Sequence, residues 1–200
     1  MKQKVAQKIV IINGKGGSGK DTFVKFCEDF GTTQHFVEIE NISTVDCVKE
    51  IASSMLIDVE SKTEKERKLL SGLNHLWNEY NWYPLKSTVN KTAYSMYAYK
   101  YLGIYGIIFI HCREPEYIDK LKEFFAENED TKDVPVETLL IRNPNVPDIT
   151  TNESDRNVEN YKYDVIVDND GSLNHLKVKA AIYMKSWLED IDDKKQNVKS

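Results

Sequence analysis

Residues Gly14-Lys15-Gly16-Gly17-Ser18-Gly19-Lys20-Asp21-Thr22 carry the densest chemical signal in this sequence. They fit the spacing G-x-x-x-x-G-K. Glycines let a backbone turn so that successive N–H groups point inward as an anion nest. A helix beginning at the end of such a loop adds free amides and a partial positive charge. Lys20 would then place a compact cation on the β- and γ-phosphates of a nucleotide, and Thr22 is spaced to donate to a phosphate oxygen. A flexible glycine turn could also produce such composition, but the lysine at this spacing favours phosphate binding.

Asp21 departs from the usual form of the loop, where Ser or Thr ligates Mg²⁺. A carboxylate is also a hard oxygen ligand, so Asp21 is a candidate to hold the metal directly or through water. Without a cation nearby its charge would repel the phosphates.

The loop can act only if a strand delivers it and a helix leaves it. Residues 8–13 include the run Ile9-Val10-Ile11-Ile12, the pattern of a central strand buried on both faces. A helix is predicted from about residue 20, with Phe23, Phe26 and Phe30 on one face and Gly31 as its stop signal. Residues 36–40 read as a second strand. Ser43 is expected to cap the next helix, with Asp46 three residues on in the manner of a capping box. Thr63 and Glu66 repeat that signature before a helix striped with Leu69, Leu70, Leu73, Leu76, Trp77 and Tyr80. Pro84 separates it from a tyrosine-rich helix over 88–102. Strands follow at 107–110, 136–141 and 164–167, with Pro115 opening an intervening helix and a final helix over 172–188 before a frayed tail. Strands alternating with helices predict one α/β domain over 1–200 with a five-stranded parallel sheet. The polar segment 142–160 is long for a connection inside a compact domain, which marks it as functional or disordered.

The 200 residues are 40% hydrophobic and 30% charged, and no apolar stretch reaches the length of a membrane helix. Cys27, Cys47 and Cys112 are widely spaced, which argues for reduced thiols and a cytoplasmic location, and the first residues lack a signal-peptide pattern. A net charge of −5 gives bulk electrostatics no role in nucleic-acid binding, so a small phosphorylated ligand is expected instead. Oligomeric state is not encoded in any motif.

From Gly19-Lys20-Asp21-Thr22 onward the chain resembles the P-loop nucleoside and deoxynucleoside monophosphate kinases, in particular the phage-type branch with a GKDT loop. A GKD form also occurs in animal-type phosphomevalonate kinases. Ser43 with Val48-Lys49-Glu50, residues 62–67, Arg113, Ser154-Asp155, Tyr163-Asp164 and Asn169-Asp170-Gly171 are similar to short segments of that family. The resemblance implies a three-layer P-loop NTPase fold, with substrate-side helices at about 42–102 and a lid at about 142–160. It implies ATP and Mg²⁺ as cofactors. Lys20, Arg142 and Arg156 become the catalytic candidates, the two arginines closing over the transferring phosphoryl group. Ser43, Lys62, Arg67 and Arg113 become candidates for the phosphate of the acceptor. Arginine suits such tasks because it stays charged and binds phosphate bidentately.

Tyr94, Tyr97, Tyr99 and Tyr101 could form a stacking wall for a base, although the spacing of Tyr94, Tyr97 and Tyr101 fits core packing better. His35, His75, His111 and His175 lack metal-ligand spacing. Many P-loop enzymes carry Asp at the end of the strand that here reads Phe109-Ile110-His111-Cys112. His111 in that place leaves the metal to Asp21, the nucleotide and water, with Asp155 as a lid contributor. The leading expectation is an ATP:(deoxy)nucleoside monophosphate phosphotransferase. A kinase of another phosphorylated acceptor, of the phosphomevalonate type, is the second. A nucleotide-binding regulatory protein weakened in catalysis by His111 is the third.

Overall fold

In the computed structural model, which describes residues 6–34, 37–57, 59, 63–146 and 157–197, five parallel strands form one sheet. The strands are β1 (Gln7–Asn13), β2 (Val37–Ser43), β3 (Tyr105–His111), β4 (Val136–Arg142) and β5 (Val165–Asp168), in the spatial order β2-β3-β1-β4-β5. The helices are α1 (Lys20–Gln34), α2 (Asp46–Ser54), α3 (Glu64–Asn81), α4 (Tyr83–Leu102), α5 (Pro115–Glu127) and α6 (Leu173–Asn197). Among the described residues no helix is long and apolar enough to cross a membrane.

The central position of β1 follows from its sequence. Alternate residues face opposite sides of a sheet, so a strand covered on both faces must be apolar throughout. Ile9 and Ile11 enter a core with Ile108 and Ile110 of β3, Leu85, Val89 and Met96 of α4, and Ile118, Leu121 and Phe125 of α5. Val10 and Ile12 enter the opposite core with Phe23, Val24 and Cys27 of α1 and Leu176, Ala180 and Met184 of α6. Two helical layers therefore sandwich the sheet. Each fully buried Ile, Leu or Phe contributes about 1.5–3 kcal/mol of transfer free energy.

Register brings the carboxyl ends of the strands together: Ile12 lies beside His111 and Leu139, Ser43 beside His111, and Arg142 beside Asp168. That edge of a parallel α/β sheet is where ligands bind.

Several local expectations change. Gly31 does not stop α1, which continues to Gln34. A Cβ there would meet Ile39 Cδ1 at 3.1 Å and Val37 Cβ at 3.3 Å, so close packing on β2 explains this glycine. Ser43 ends β2 instead of capping α2, because its strand continues in register with β3 up to His111. Helix α2 starts at Asp46, whose Oδ2 accepts the Ser43 N–H at 2.7 Å. The Thr63–Glu66 capping box forms as expected, with Glu66 N–H donating to Thr63 Oγ1 at 3.5 Å and Thr63 N–H to Glu66 Oε2 at 3.1 Å.

Only part of the apolar stripe on α3 turns inward: Leu70, Leu73 and Trp77 are half-buried. Leu69, Leu76 and Tyr80 are exposed, while Asn74 and Asn78 are buried and linked by a 3.2 Å hydrogen bond. Pro84 does not separate two helices either. The break is Trp82, in the left-handed region at φ 61°, and Pro84 occupies the first turn of α4, where no amide donor is needed. Within α4, Tyr94, Tyr97 and Tyr101 are exposed and only Tyr99 turns inward. That inversion arises because the inner face of α4 is made by Leu85, Val89, Ala93 and Met96, one turn apart, with Tyr99 continuing the row. The final helix extends to Asn197, beyond the expected fraying point.

Candidate functional site

The loop between β1 and α1 is shaped by contacts that only glycine permits at two points. Gly14 has φ +148°, and a Cβ there would stand 2.4 Å from the Ile141 carbonyl oxygen and 2.6 Å from Ser18 Oγ. Gly19 has φ +98°, and its Cβ would stand 2.5 Å from Asn169 Nδ2. Both positions combine a backbone region that L side chains avoid with close approach of a neighbour. Ser18 N–H donates to the Lys15 carbonyl at 3.0 Å, which tightens the turn, and Phe23 N–H reaches Gly19 O at 2.9 Å as α1 begins.

Lys20 is buried, and its ammonium donates to the carbonyl oxygens of Gly14 and, at 3.0 Å, Lys15. The side chain thus folds over the mouth of its own loop. Ser18 Oγ is buried inside this turn with no hydrogen-bond partner among the described residues. The cradle therefore combines a positive charge, a helix amino end and an unspent hydroxyl, all suited to an anion.

Two asparagines secure the loop. Asn13, fully buried at the end of β1, accepts the Gly14 N–H at 2.7 Å and donates to the Arg113 carbonyl at 3.1 Å, joining the ends of β1 and β3. Asn169, just past β5, donates through Nδ2 to Ser18 O at 2.9 Å and through its N–H to Arg142 O at 2.6 Å. The signal for Asn13 was a polar residue closing an apolar run directly before a glycine. Asn169 lay within the Asn169-Asp170-Gly171 segment, but its contact with residue 18 spans the whole chain and has no local trace.

His111 and Asp21 meet at the carboxyl end of the central strands. His111 Nε2 lies 3.7 Å from Asp21 Oδ1, with 13% of the histidine side chain exposed against 91% of the aspartate. Nε2 is buried and, among the described residues, has no hydrogen-bond partner, because 3.7 Å is beyond hydrogen-bond reach. Leaving such an atom unpaired costs about 1–3 kcal/mol. The His111 pKa is lowered to about 4, chiefly by burial; Lys20 and Arg113 also lower it, while Asp21 and Asp46 oppose them. The ring is neutral at pH 7, so its contact with Asp21 is not an ion pair there. A carboxylate and a neutral imidazole, both beside the loop, form a donor pair that fits a divalent ion. Among the described residues no group of three or more His, Cys, Asp or Glu converges on a metal position, so other ligands would come from nucleotide and water.

The remaining candidates are spread out. Arg142 is the last residue of β4, one residue past the expected end of that strand. Its Nε donates to Asp168 Oδ1 at 2.6 Å, and this guanidinium holds the Asp168 carboxyl below its usual range. Arg113 is exposed directly after β3, beside the site, and its carbonyl serves Asn13. Ser43 ends β2 next to His111, its Oγ accepting the Val45 N–H at 3.5 Å. Arg67 is exposed on α3, where its N–H donates to the Thr63 carbonyl at 3.0 Å and continues the helix. Lys62, Ser154, Asp155 and Arg156 lie outside the described residues. At the end of the expected lid, the short 3₁₀ turn Val158–Asn160 is anchored by buried Val158, whose carbonyl accepts from Tyr163 Oη at 2.8 Å. From that turn Glu159 reaches Lys15 at 2.9 Å, a link between loop and lid segment that sequence alone did not suggest.

No family model matches this sequence, and no curated protein does. Solved structures do align with it over most of its length. A sugar kinase from Janibacter sp. HTCC2649 aligns with 92% of this chain and 95% of its own, at 18% identity and a TM-score of 0.45. The Mycobacterium tuberculosis APS kinase CysC, in complex with AMPPNP and APS, aligns with 92% of this chain and 99% of its own, at 10% identity and a TM-score of 0.47. This chain itself is a three-layer α/β structure, with the glycine loop after the first strand of a five-stranded parallel sheet.

Proposed function

We propose that this chain is an ATP-dependent phosphotransferase whose acceptor is a (deoxy)nucleoside monophosphate. The observation that carries the reading is the buried Lys20 ammonium, held on loop carbonyls at the start of α1, in the middle of the carboxyl edge of the sheet. A buried ammonium at the amino end of a helix, donating to loop carbonyls, is placed to exchange those neutral acceptors for anionic oxygens.

In this account the backbone amides of 14–20 and the Lys20 ammonium bind the β- and γ-phosphates and hold the γ-phosphoryl in line for attack. Lys20 leaves Gly14 O and Lys15 O for the phosphate, exchanging neutral acceptors for charged ones. A divalent ion, expected as Mg²⁺ and held by Asp21, would neutralise charge on the phosphate oxygens. Arg113, directly after β3, receives the acceptor phosphate, with Ser43 beside it. Lys62, Arg67 and Arg156 are assigned supporting roles on the acceptor and lid sides by the resemblance described above. Catalysis of this type is mostly positioning and charge neutralisation, so a rigid cradle supplies much of it.

A second reading, a nucleotide-binding regulatory protein with weak turnover, is favoured by one observation: a neutral His111 stands at the strand end where a carboxylate is usual. A kinase of another phosphorylated small molecule remains the alternative within the enzyme reading. ADP release from ATP by purified protein, with each NMP and dNMP offered as acceptor, separates the proposal from both of these. Strong turnover with one or a few monophosphates supports the proposal and names the substrate. ATP binding without acceptor-dependent ADP release from any of them refutes it.

A further inference from the structure

The pairing of His111 with Asp21 reaches further than the identity of the acceptor. His111 is fixed by backbone on both sides: its strand pairs with Ile12 and Ser43, and its carbonyl accepts from Thr44 N–H at 3.1 Å and Thr44 Oγ1 at 3.2 Å. Its Nε2 is buried and, among the described residues, unsatisfied, and it faces Asp21 Oδ1 at 3.7 Å. Two donors on one ion at bond lengths of about 2.1 Å stand roughly 3–4 Å apart, depending on the angle between them. The observed separation lies in that interval, and exposed Asp21 is free to adjust. Asp21 also belongs to the first turn of the helix that begins at Lys20, so an ion between the two side chains lies beside the phosphate cradle. The charged groups facing the imidazole are Asp21, Lys20, Arg113 and Asp46, so the surroundings carry both signs.

We propose that His111 Nε2 joins the Asp21 carboxylate as a ligand of the divalent ion that accompanies the nucleotide, and that this nitrogen donor makes the site prefer Mn²⁺ or Co²⁺ over Mg²⁺. The proposal rests on the nucleotide reading above. An imidazole adds little for Mg²⁺, which favours oxygen and gives up water reluctantly, and it adds more for transition-metal ions. The same site with Asp in place of His111 would be an all-oxygen site suited to Mg²⁺.

The test uses the full chain with ADP and Mn²⁺, read by pulsed electron paramagnetic resonance. A histidine nitrogen coordinated to Mn²⁺ gives a modulation that changes when the protein is labelled with ¹⁵N-histidine. The wild type is expected to show it, and His111→Asp and His111→Asn to lose it; the two variants together guard against one that fails to fold. Metal titrations of the ADP complexes supply a second readout. The ratio of Mn²⁺ to Mg²⁺ affinity should be at least about tenfold larger in the wild type than in His111→Asp. Mn²⁺ and ADP bound without a histidine nitrogen signal, or an unchanged metal ratio in His111→Asp, overturns the proposal and leaves nucleotide binding standing. Failure of ADP to bind with either metal removes the nucleotide reading and this proposal together.

Discussion

Asn169 Nδ2 donates to the Ser18 carbonyl oxygen at 2.9 Å, across a separation of 151 residues. This bond ties the phosphate loop after the first strand to the segment leaving the last strand, and the Asn169 N–H extends the tie to Arg142 O. The loop is therefore held from two sides, by Asn13 beneath it and Asn169 beside it. A cradle that must present amides to phosphate gains from being shaped before ligand arrives, because less ordering then opposes binding.

Asn169→Ala should cost about 1 kcal/mol in stability and weaken ATP binding several-fold. Denaturant unfolding and equilibrium titration measure the two effects separately. Stability loss with unaltered affinity would mean that the loop keeps its shape without this bond.

Gly14→Ala should be far more damaging. The new Cβ would meet the Ile141 carbonyl, which is strand backbone and cannot move aside, in a backbone region that already disfavours alanine. A loss of about 2–4 kcal/mol and abolished nucleotide binding are expected. Gly72→Ala is the control, because that glycine lies within α3 with open space around its Cβ position, and it should be neutral or stabilising. Thermal unfolding of the two variants makes the comparison.

Arg142 and Asp168 form an exposed pair at the ends of β4 and β5, so solvent screens it and its contribution to stability should be small. If Arg142 also acts on the transferring phosphoryl group, Arg142→Ala will lower kcat at least about tenfold while the unfolding midpoint barely shifts. Wild-type kcat would confine the residue to its ion pair.

The fold itself should show an acid limit set partly by Asp164. Its Oδ2 accepts from Thr138 N–H at 2.8 Å and from Thr138 Oγ1 at 2.7 Å. Burial raises the carboxyl pKa, but the two Thr138 hydrogen bonds and nearby Lys122 and Lys162 outweigh it, and the net shift is below the ordinary value of 3.8. A depressed folded pKa adds stability above the unfolded value, and that contribution is lost as pH falls through the folded one. Wild-type stability should therefore decline below about pH 4, and Thr138→Val should make that decline shallower while costing about 1–3 kcal/mol at neutral pH. Urea titrations between pH 7 and pH 3 give both quantities.

The sheet and the loop were legible in the sequence for a physical reason. A strand buried on both faces has to be apolar throughout, and a loop that approaches its neighbours this closely has to be glycine, so Ile9 to Gly14 states its environment outright. Helix α3 was misread because half of its apolar stripe faces outward, and α4 because its tyrosine spacing competes with the row Leu85, Val89, Ala93 and Met96 that packs. Leu76 and Tyr80 point outward while Asn74 and Asn78 turn in, and Tyr94, Tyr97 and Tyr101 lie opposite the row that packs. Spacing reveals a stripe but not which side of the helix meets the protein. The partners of the site, Asn169 with Ser18, Glu159 with Lys15 and His111 with Asp21, join residues far apart in the chain and leave no local pattern. Arg142 was placed in the lid because its segment is polar, whereas parallel pairing with Asp168 extends β4 by that residue.

The central claim is that the loop of residues 14–22 binds a nucleoside triphosphate through Lys20. Isothermal calorimetry of ATP with a divalent ion, on the wild type and on Lys20→Met, tests it directly. The account predicts stoichiometric binding by the wild type and affinity reduced at least about tenfold in Lys20→Met, the loss expected when a charge-assisted contact is removed. No binding by the wild type, or equal binding by both proteins, would contradict it.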